Sequence, residues 1–248
     1  MYSCWHKFFT LFVFSFTCQW SVAQITTDPT SNSPYSRLGL GDPVGQYFSS
    51  NAGMAGISSV YHHPYHLNVL NPASHGWLRS TAFEVGVFAK FTALDSQGAS
   101  TQEWDGNLNY LAIGFPLRNP INESLDRKEP DFGWGMSFSL IPNTIVNYDI
   151  ETSSEVGGEN TIGAFKGEGG TYKLYWGNGF RYKYFSAGLN LGYLFGRIRN
   201  TRLLFLEDEF AYYSDNFADD ISVNGFVWNL GLNYDLFFKE KWTWRVGK

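Results

Sequence analysis

The sequence predicts an all-β protein: a transmembrane antiparallel β-barrel, incomplete, with a long irregular segment ahead of it. Three observations carry this. Apolar residues recur at every second position over stretches of about eleven residues, close to the roughly ten that a tilted strand needs to cross a bilayer. Aromatic residues make up 19% of the chain while mean hydropathy is only −0.23, as expected where lipid-facing side chains alternate with polar ones. The opening residues read as an export signal.

That signal is residues 1–23. A single cation, Lys7, precedes the apolar run Phe8–Phe16, which only Thr10 and Ser15 interrupt, and small residues Ser21 and Ala23 precede Gln24. This is a charged region, a short apolar region and a small-residue cleavage site, and it is too short for a spanning helix of about 20 residues. Cys18 closes the apolar run, but Ser15-Phe16-Thr17 before it makes a poor lipid-attachment signal. Both cysteines, Cys4 and Cys18, fall inside the leader. A mature chain without cysteine has no disulfide framework, thiolate metal site or cysteine nucleophile. The net charge of −5 becomes about −6 once Lys7 is lost, and no basic run follows, so nucleic acid is not an expected partner.

Residues 24–78 show no sustained period and carry turn formers throughout: Asp28-Pro29, Ser33-Pro34, Gly41-Asp42-Pro43, Gly53, Gly56, Pro64 and Asn71-Pro72. So long a structureless stretch is unusual inside a compact domain unless it has a function or is disordered. Residues 79–248 then alternate with a period of two. Thr81–Leu94 puts Phe83, Val85, Val87, Ala89 and Phe91 on one face, and Glu84, Gly86, Lys90 and Thr92 mainly on the other. Further strands are expected over Asn107–Leu117, Phe132–Ile150, Thr171–Tyr182, Phe185–Phe195 and Gly225–Phe237, with another beginning at Trp242. Lys183-Tyr184 reads as a tight turn and Ile198–Ser222 as a long acidic loop; short turns on one side and long loops on the other are the barrel pattern.

A soluble β-sandwich also alternates. Its strands, however, cluster near five or six residues, and its solvent face is rich in Lys and Glu, where these faces carry Gly, Ser and Asn. The sequence stops at Arg245-Val246-Gly247-Lys248, inside a strand that has just begun. Since backbone groups in lipid require a closed sheet and single-chain bacterial barrels have even strand counts, a fragment with six or seven strands is expected.

The stretch Ser36-Arg37-Leu38-Gly39-Leu40-Gly41, then Ala52-Gly53-Met54-Ala55-Gly56, then Asn71-Pro72-Ala73, followed by a first strand near Thr81, resembles the FadL-type outer-membrane transporters of hydrophobic compounds. The resemblance implies a barrel of 14 strands plugged by an N-terminal hatch, to which Gly53, Gly56, Asn71, Pro72 and Ala73 would belong. Ser74 departs from the glycine frequent after Asn-Pro-Ala. It also implies an inward kink in the third strand that opens the wall sideways. Pro142, with Asn143 and Thr144, is the candidate, because proline cannot donate to the ladder and marks an edge or bulge; the alternative is that Pro142 ends a shorter strand.

Chemistry is sparse. His62, His63 and His66, with His75 nearby, form a histidine cluster, but Pro64 disfavours the helix that would bring two imidazoles onto one metal. Glu207-Asp208-Glu209 and Asp219-Asp220 lack the alternate oxygen spacing of a calcium loop and read as solvated. Glu84 and Lys90 share the polar face of the first strand and are candidate lumen residues, paired or lining a ligand route. Trp77, Trp104, Trp134, Trp176 and Trp242 are candidates for interfacial girdles, with core packing as the alternative. No nucleophile elbow or phosphate loop occurs, and neither an enzyme nor a cofactor is expected. The expectation is an outer-membrane protein in contact with lipid that carries a hydrophobic small molecule such as a fatty acid; the alternative is a structural or secretion-system accessory barrel whose partners are secretion-system proteins.

Overall fold

The computed structural model describes residues 33–96, 99–118, 130–156, 159–207, 212–238 and 242–247. The leader, residues 1–23, lies outside the described residues, as does the beginning of the segment 24–78.

The alternating stretches form strands: β1 is Asp42–Pro43, β2 Ala82–Ser96, β3 Ala99–Pro116, β4 Phe132–Val156, β5 Glu159–Tyr182, β6 Phe185–Glu207, β7 Tyr212–Phe238 and β8 Trp242–Gly247. Among the described residues they make one curled, antiparallel, eight-stranded sheet in which β2 to β8 follow sequence order and β1 pairs with β4. The tight turn is Lys183-Tyr184, with Lys183 in the left-handed region at φ 51° and its N–H donated to Asp131 O at 2.6 Å.

The two faces of the sheet divide as period two requires. Outward stand Phe83 and Val85 on β2, Leu111 and Ile113 on β3, Trp134 and Phe138 on β4, Leu174, Trp176 and Phe180 on β5, Leu189 and Tyr193 on β6, and Trp228 and Leu230 on β7, all exposed. Trp228 and Phe226 are 67% and 68% exposed, values that a sandwich core would not leave. Inward stand Ser137, Ser139, Thr171, Arg181, Ser186, Asn190, Asn233 and Asp235, all buried. On β6 the apolar band covers Phe185–Phe195. At roughly 3.4 Å per residue and a tilt near 45°, such a stretch spans about 25 Å, the height of a lipid-facing band.

The strands outrun that band, and here the expectation of a long acidic loop over Ile198–Ser222 is corrected. β6 continues to Glu207 and β7 begins at Tyr212, and their register is unbroken from Phe185↔Tyr234 to Glu207↔Tyr212. Beyond the band charged residues enter the alternation, although Val146, Tyr148 and Ile198 still form a buried cluster on the inner face, so the hydrophobic period weakens while the ladder persists. Cross-strand charge helps hold it: Arg197 Nη2 and Arg199 Nε reach the two carboxylate oxygens of Asp220 at 2.7 and 2.9 Å.

One seam is open. β3 and β4 pair only from Pro116↔Gly135 to Leu111↔Leu140, and above that point β1 takes the place on β4 that β3 vacates, with Pro43 opposite Thr144 and Asp42 opposite Ile145. Two irregularities sit at this level: the β2–β3 register shifts between Gly86 and Val87, and the β4–β5 register shifts between Pro142 and Thr144. Pro142 therefore lies within a strand that runs through it, at a bulge.

Cysteines placed at Leu111 and Leu140, the last register pair below the split, should form a disulfide under mild oxidation, seen as a mobility shift on non-reducing gels. A pair at Asn107 and Thr144, which β1 separates, should not.

Candidate functional site

The inner face of the sheet is covered by residues 33–81 of the same chain. Their centre is a 3-10 helix, Pro72–Trp77, which packs against β4, β5, β6 and β7 at once. Its start follows from sequence: Pro72 supplies the fixed φ of a first helical residue, and Asn71 caps it by accepting the Ala73 N–H on Oδ1 at 3.1 Å. Asn71 Nδ2 donates outward to Ser59 O and, at 2.9 Å, to Asn233 Oδ1 on β7.

Glycine lets this helix lie directly on the wall. A Cβ at Gly133 or Gly135 would overlap the carbonyl oxygens of Gly76 and His75, and one at Gly179 or Gly188 that of Pro72. Side-chain amides fill the gaps between: Asn190 Nδ2 donates to Val69 O at 2.5 Å and Asn229 Nδ2 to Leu70 O at 2.7 Å, while Ser74 Oγ donates to Asn68 O at 3.0 Å. His75 is wholly buried, with Nε2 3.0 Å from Ser137 Oγ. Around this polar seam lies the apolar core, Phe48, Leu67, Val69, Leu78, Tyr110 and Ile141, drawn from both the segment and the wall. Phe48 stacks on Tyr110 with ring centres 3.9 Å apart.

A second contact is a buried imidazole–carboxyl pair. His62 Nε2 lies 3.3 Å from Asp235 Oδ2 on β7, its ring stacked 4.0 Å from that of Trp77, and the Arg181 guanidinium sits 4.2 Å from the same indole. Trp77 is thus an inner contact and no girdle residue, and its Nε1 donates to Ser186 Oγ at 3.3 Å. Burial, reinforced by the positive charge of Arg245, pushes His62 down to about 3; burial likewise pushes His75 down to about 4, against a hydrogen bond with Asn190. His63 is lowered by burial and by His66, whose ring centre is 4.7 Å away. Among the described residues, no group of three or more His, Cys, Asp or Glu side chains is placed to hold a metal ion.

The structure sorts the sequence candidates by location. Asn71, Pro72 and Ala73 meet on the wall. Gly53 and Gly56 lie apart, in the turn after Ser49–Ala52; Gly56 has φ +76° and needs glycine, whereas a Cβ on Gly53 would meet nothing. Asn143 and Thr144 tie the bulge together: Asn143 accepts from Gln46 Nε2 at 3.1 Å and donates to Thr171 Oγ1 at 3.0 Å, and its carbonyl accepts the Val44 N–H at 3.0 Å. Thr144 Oγ1 is 2.7 Å from Thr171 Oγ1. Glu84 and Lys90 are six residues apart, about 20 Å along an extended strand, and meet different neighbours. Glu84 Oε1 accepts the Leu67 N–H at 2.7 Å, while Lys90 lines a cavity of about 400 Å³ beside the split, with Asp42, Tyr47, Asn109 and Asn147. The contributions of Asn190, Asn233 and the wall glycines are not legible in the sequence, where small polar residues opposite the apolar positions fit an open lumen as well as a close backbone contact.

An antiparallel curled sheet, apolar outside and covered within by its own N-terminal segment, is the class of protein that these features define. The BamG family model matches residues 6–247, and the chain belongs to the BamG family. No curated protein and no solved structure matches it. Family membership overturns the resemblance to the FadL-type transporters, and the reading as a carrier of hydrophobic compounds falls with it; the count of 14 strands rested on that resemblance. The physical reason is local. Asn-Pro-Ala is a helix cap, Gly56 serves a left-handed turn, and Gly41, at φ +96°, sits against the Ile145 backbone, so the matching motifs report loop geometry that unrelated chains share.

Gly179→Val should drive the Pro72–Trp77 helix off the wall, costing about 1–3 kcal/mol by overpacking and raising proteolytic cleavage within residues 33–81. Because His62 and His75 are held neutral in the fold, unfolded chain takes up protons they refuse as pH falls below 6.5. Melting temperature should therefore drop from pH 6.5 towards about 4, and His75→Asn should flatten that slope.

Proposed function

We propose that the chain is an outer-membrane β-sheet protein that serves outer-membrane protein assembly as a non-enzymatic accessory subunit. The observation that carries this reading is the filled inner face. At the height of the apolar band, Leu67 and His75 are fully buried against the wall, and the carbonyls of Pro72, His75 and Gly76 rest on its glycines. A carrier needs a path through this volume, whereas a scaffold needs rigidity there. The family's name points the same way, towards the Bam machinery of outer-membrane protein assembly. The exposed band of Phe, Trp and Leu suits lipid or a partner's apolar flank.

In this reading residues 1–23 are a leader removed on export, residues 24–78 a fixed inner support, and residues 79–248 the membrane sheet with its extensions. Partners are other assembly components, which meet it in the membrane.

A tagged chain, extracted from its native membranes in mild detergent, should co-purify with outer-membrane assembly components, and its depletion should lower the level of several unrelated outer-membrane proteins. Purification alone, with depletion affecting only uptake of a hydrophobic compound, would refute the assignment.

A further inference from the structure

The extended ends of the strands carry a feature that an assembly scaffold does not require. Beyond the apolar core, the inner face holds a cavity of about 250 Å³, lined by Arg37, Tyr148, Phe165, Asn200, Arg202 and Asp219 among others. Strand register builds most of it: Phe165 on β5 is the partner of Arg202 on β6, and Asn200 is the partner of Asp219 on β7. Arg37 comes from the N-terminal segment, where the 3-10 helix Pro34–Arg37 is fixed to β4 by the Ser36 hydroxyl, which accepts the Asn147 N–H at 3.1 Å.

Both guanidiniums lie against one phenyl ring, Arg37 Cζ 4.5 Å and Arg202 Cζ 5.4 Å from the Phe165 centroid, and so within 10 Å of each other. Two like charges held that close repel unless an anion joins them. Among the described residues, neither has a carboxylate within ion-pair distance; the ion pairs of this half of the sheet belong to Arg197 and Arg199, on Asp220. Asp219 lines the cavity without reaching either cation. Tyr148 Oη donates to Asn200 Oδ1 at 2.9 Å, which leaves the Asn200 amide N–H groups as further donors.

We propose that this cavity binds a phosphate group, with Arg37 and Arg202 as its cationic clamp and Asn200 as a neutral donor. The stoichiometry favours phosphate over carboxylate: one guanidinium fork satisfies both oxygens of a carboxylate, whereas two forks and an amide suit a tetrahedral group with three or four oxygens. The Phe165 ring keeps both cations near one point, Arg37 and Arg202 each lying over it within cation–π range. Since Arg37 and Arg202 belong to different parts of the chain, an occupied site would also fasten the N-terminal segment to β6.

The same chemistry is offered by free phosphate and by a phosphorylated lipid head group, and calorimetry on the full chain in maltoside micelles separates them. Inorganic phosphate should bind saturably, and Arg37→Gln or Arg202→Gln, both at exposed side chains, should weaken it by about tenfold or more. Arg202→Lys should weaken it too, as the fork is lost, while Asp219→Asn should tighten it. Tighter binding of phosphatidic acid in mixed micelles than of inorganic phosphate identifies the source as a head group; the reverse identifies the free ion. Absence of saturable phosphate binding with either probe, equal binding by the Arg37→Gln/Arg202→Gln double variant, or weaker binding by Asp219→Asn would overturn the site. None of these outcomes depends on co-purification with assembly components, so the site and the assembly role stand or fall separately.

Discussion

Backbone-to-backbone contact between the N-terminal segment and the sheet is the constraint on which the rest of the molecule depends. Gly133, Gly135, Gly179 and Gly188 leave no side chain between wall and helix, so carbonyl oxygens of Pro72, His75 and Gly76 rest on the strands themselves. A polar main chain brought so close to a sheet has to be hydrogen-bonded. Asn71, Asn190 and Asn229 supply those bonds at the edges of the contact. Once they are made, Leu67, Val69 and Leu78 are carried into an apolar core that neither the sheet nor the segment could form alone.

The outer face follows from the same arrangement. With the inner positions facing the helix committed to Gly, Ser and Asn, and only a few such as Tyr110 and Ile141 joining the core, most large apolar residues fall on the alternate positions, which point away from it. Tyr193, Trp228 and Leu230 are exposed for this reason. In a water-soluble protein such a surface is a liability; against lipid or an apolar partner it stabilises. The BamG family assignment gives that surface a context, and the filled interior separates this chain from a conduit.

Much of this was legible in the sequence, and the unread parts have physical causes. Strands β2 to β8 announce themselves wherever one face is apolar, as Phe185–Phe195 does. Their outer extensions do so less clearly, because Arg197, Arg199 and Asp220 pair across strands on the exposed side and only a short apolar cluster around Ile198 remains on the other. Glycine misled in the opposite direction: alternation of Gly, Ser and Asn is compatible with a watery lumen and with close packing of another backbone, and composition does not distinguish the two. The loop motifs Ser36–Gly41, Ala52–Gly56 and Asn71–Ala73 misled most, since caps and left-handed turns recur wherever a chain must bend. Pro142 was readable as an edge or bulge within a strand over Phe132–Ile150, with the end of a shorter strand as the alternative; the pair that supports the bulge, Thr144 with Thr171, is remote in sequence and could not be read.

Hydrogen–deuterium exchange on the membrane-extracted protein tests most directly whether the segment is a fixed part of the wall. Amides of residues 67–78 should exchange as slowly as those of β5 and β6. Fast exchange there, with the strands still protected, would show a segment that leaves the sheet readily and would contradict the account.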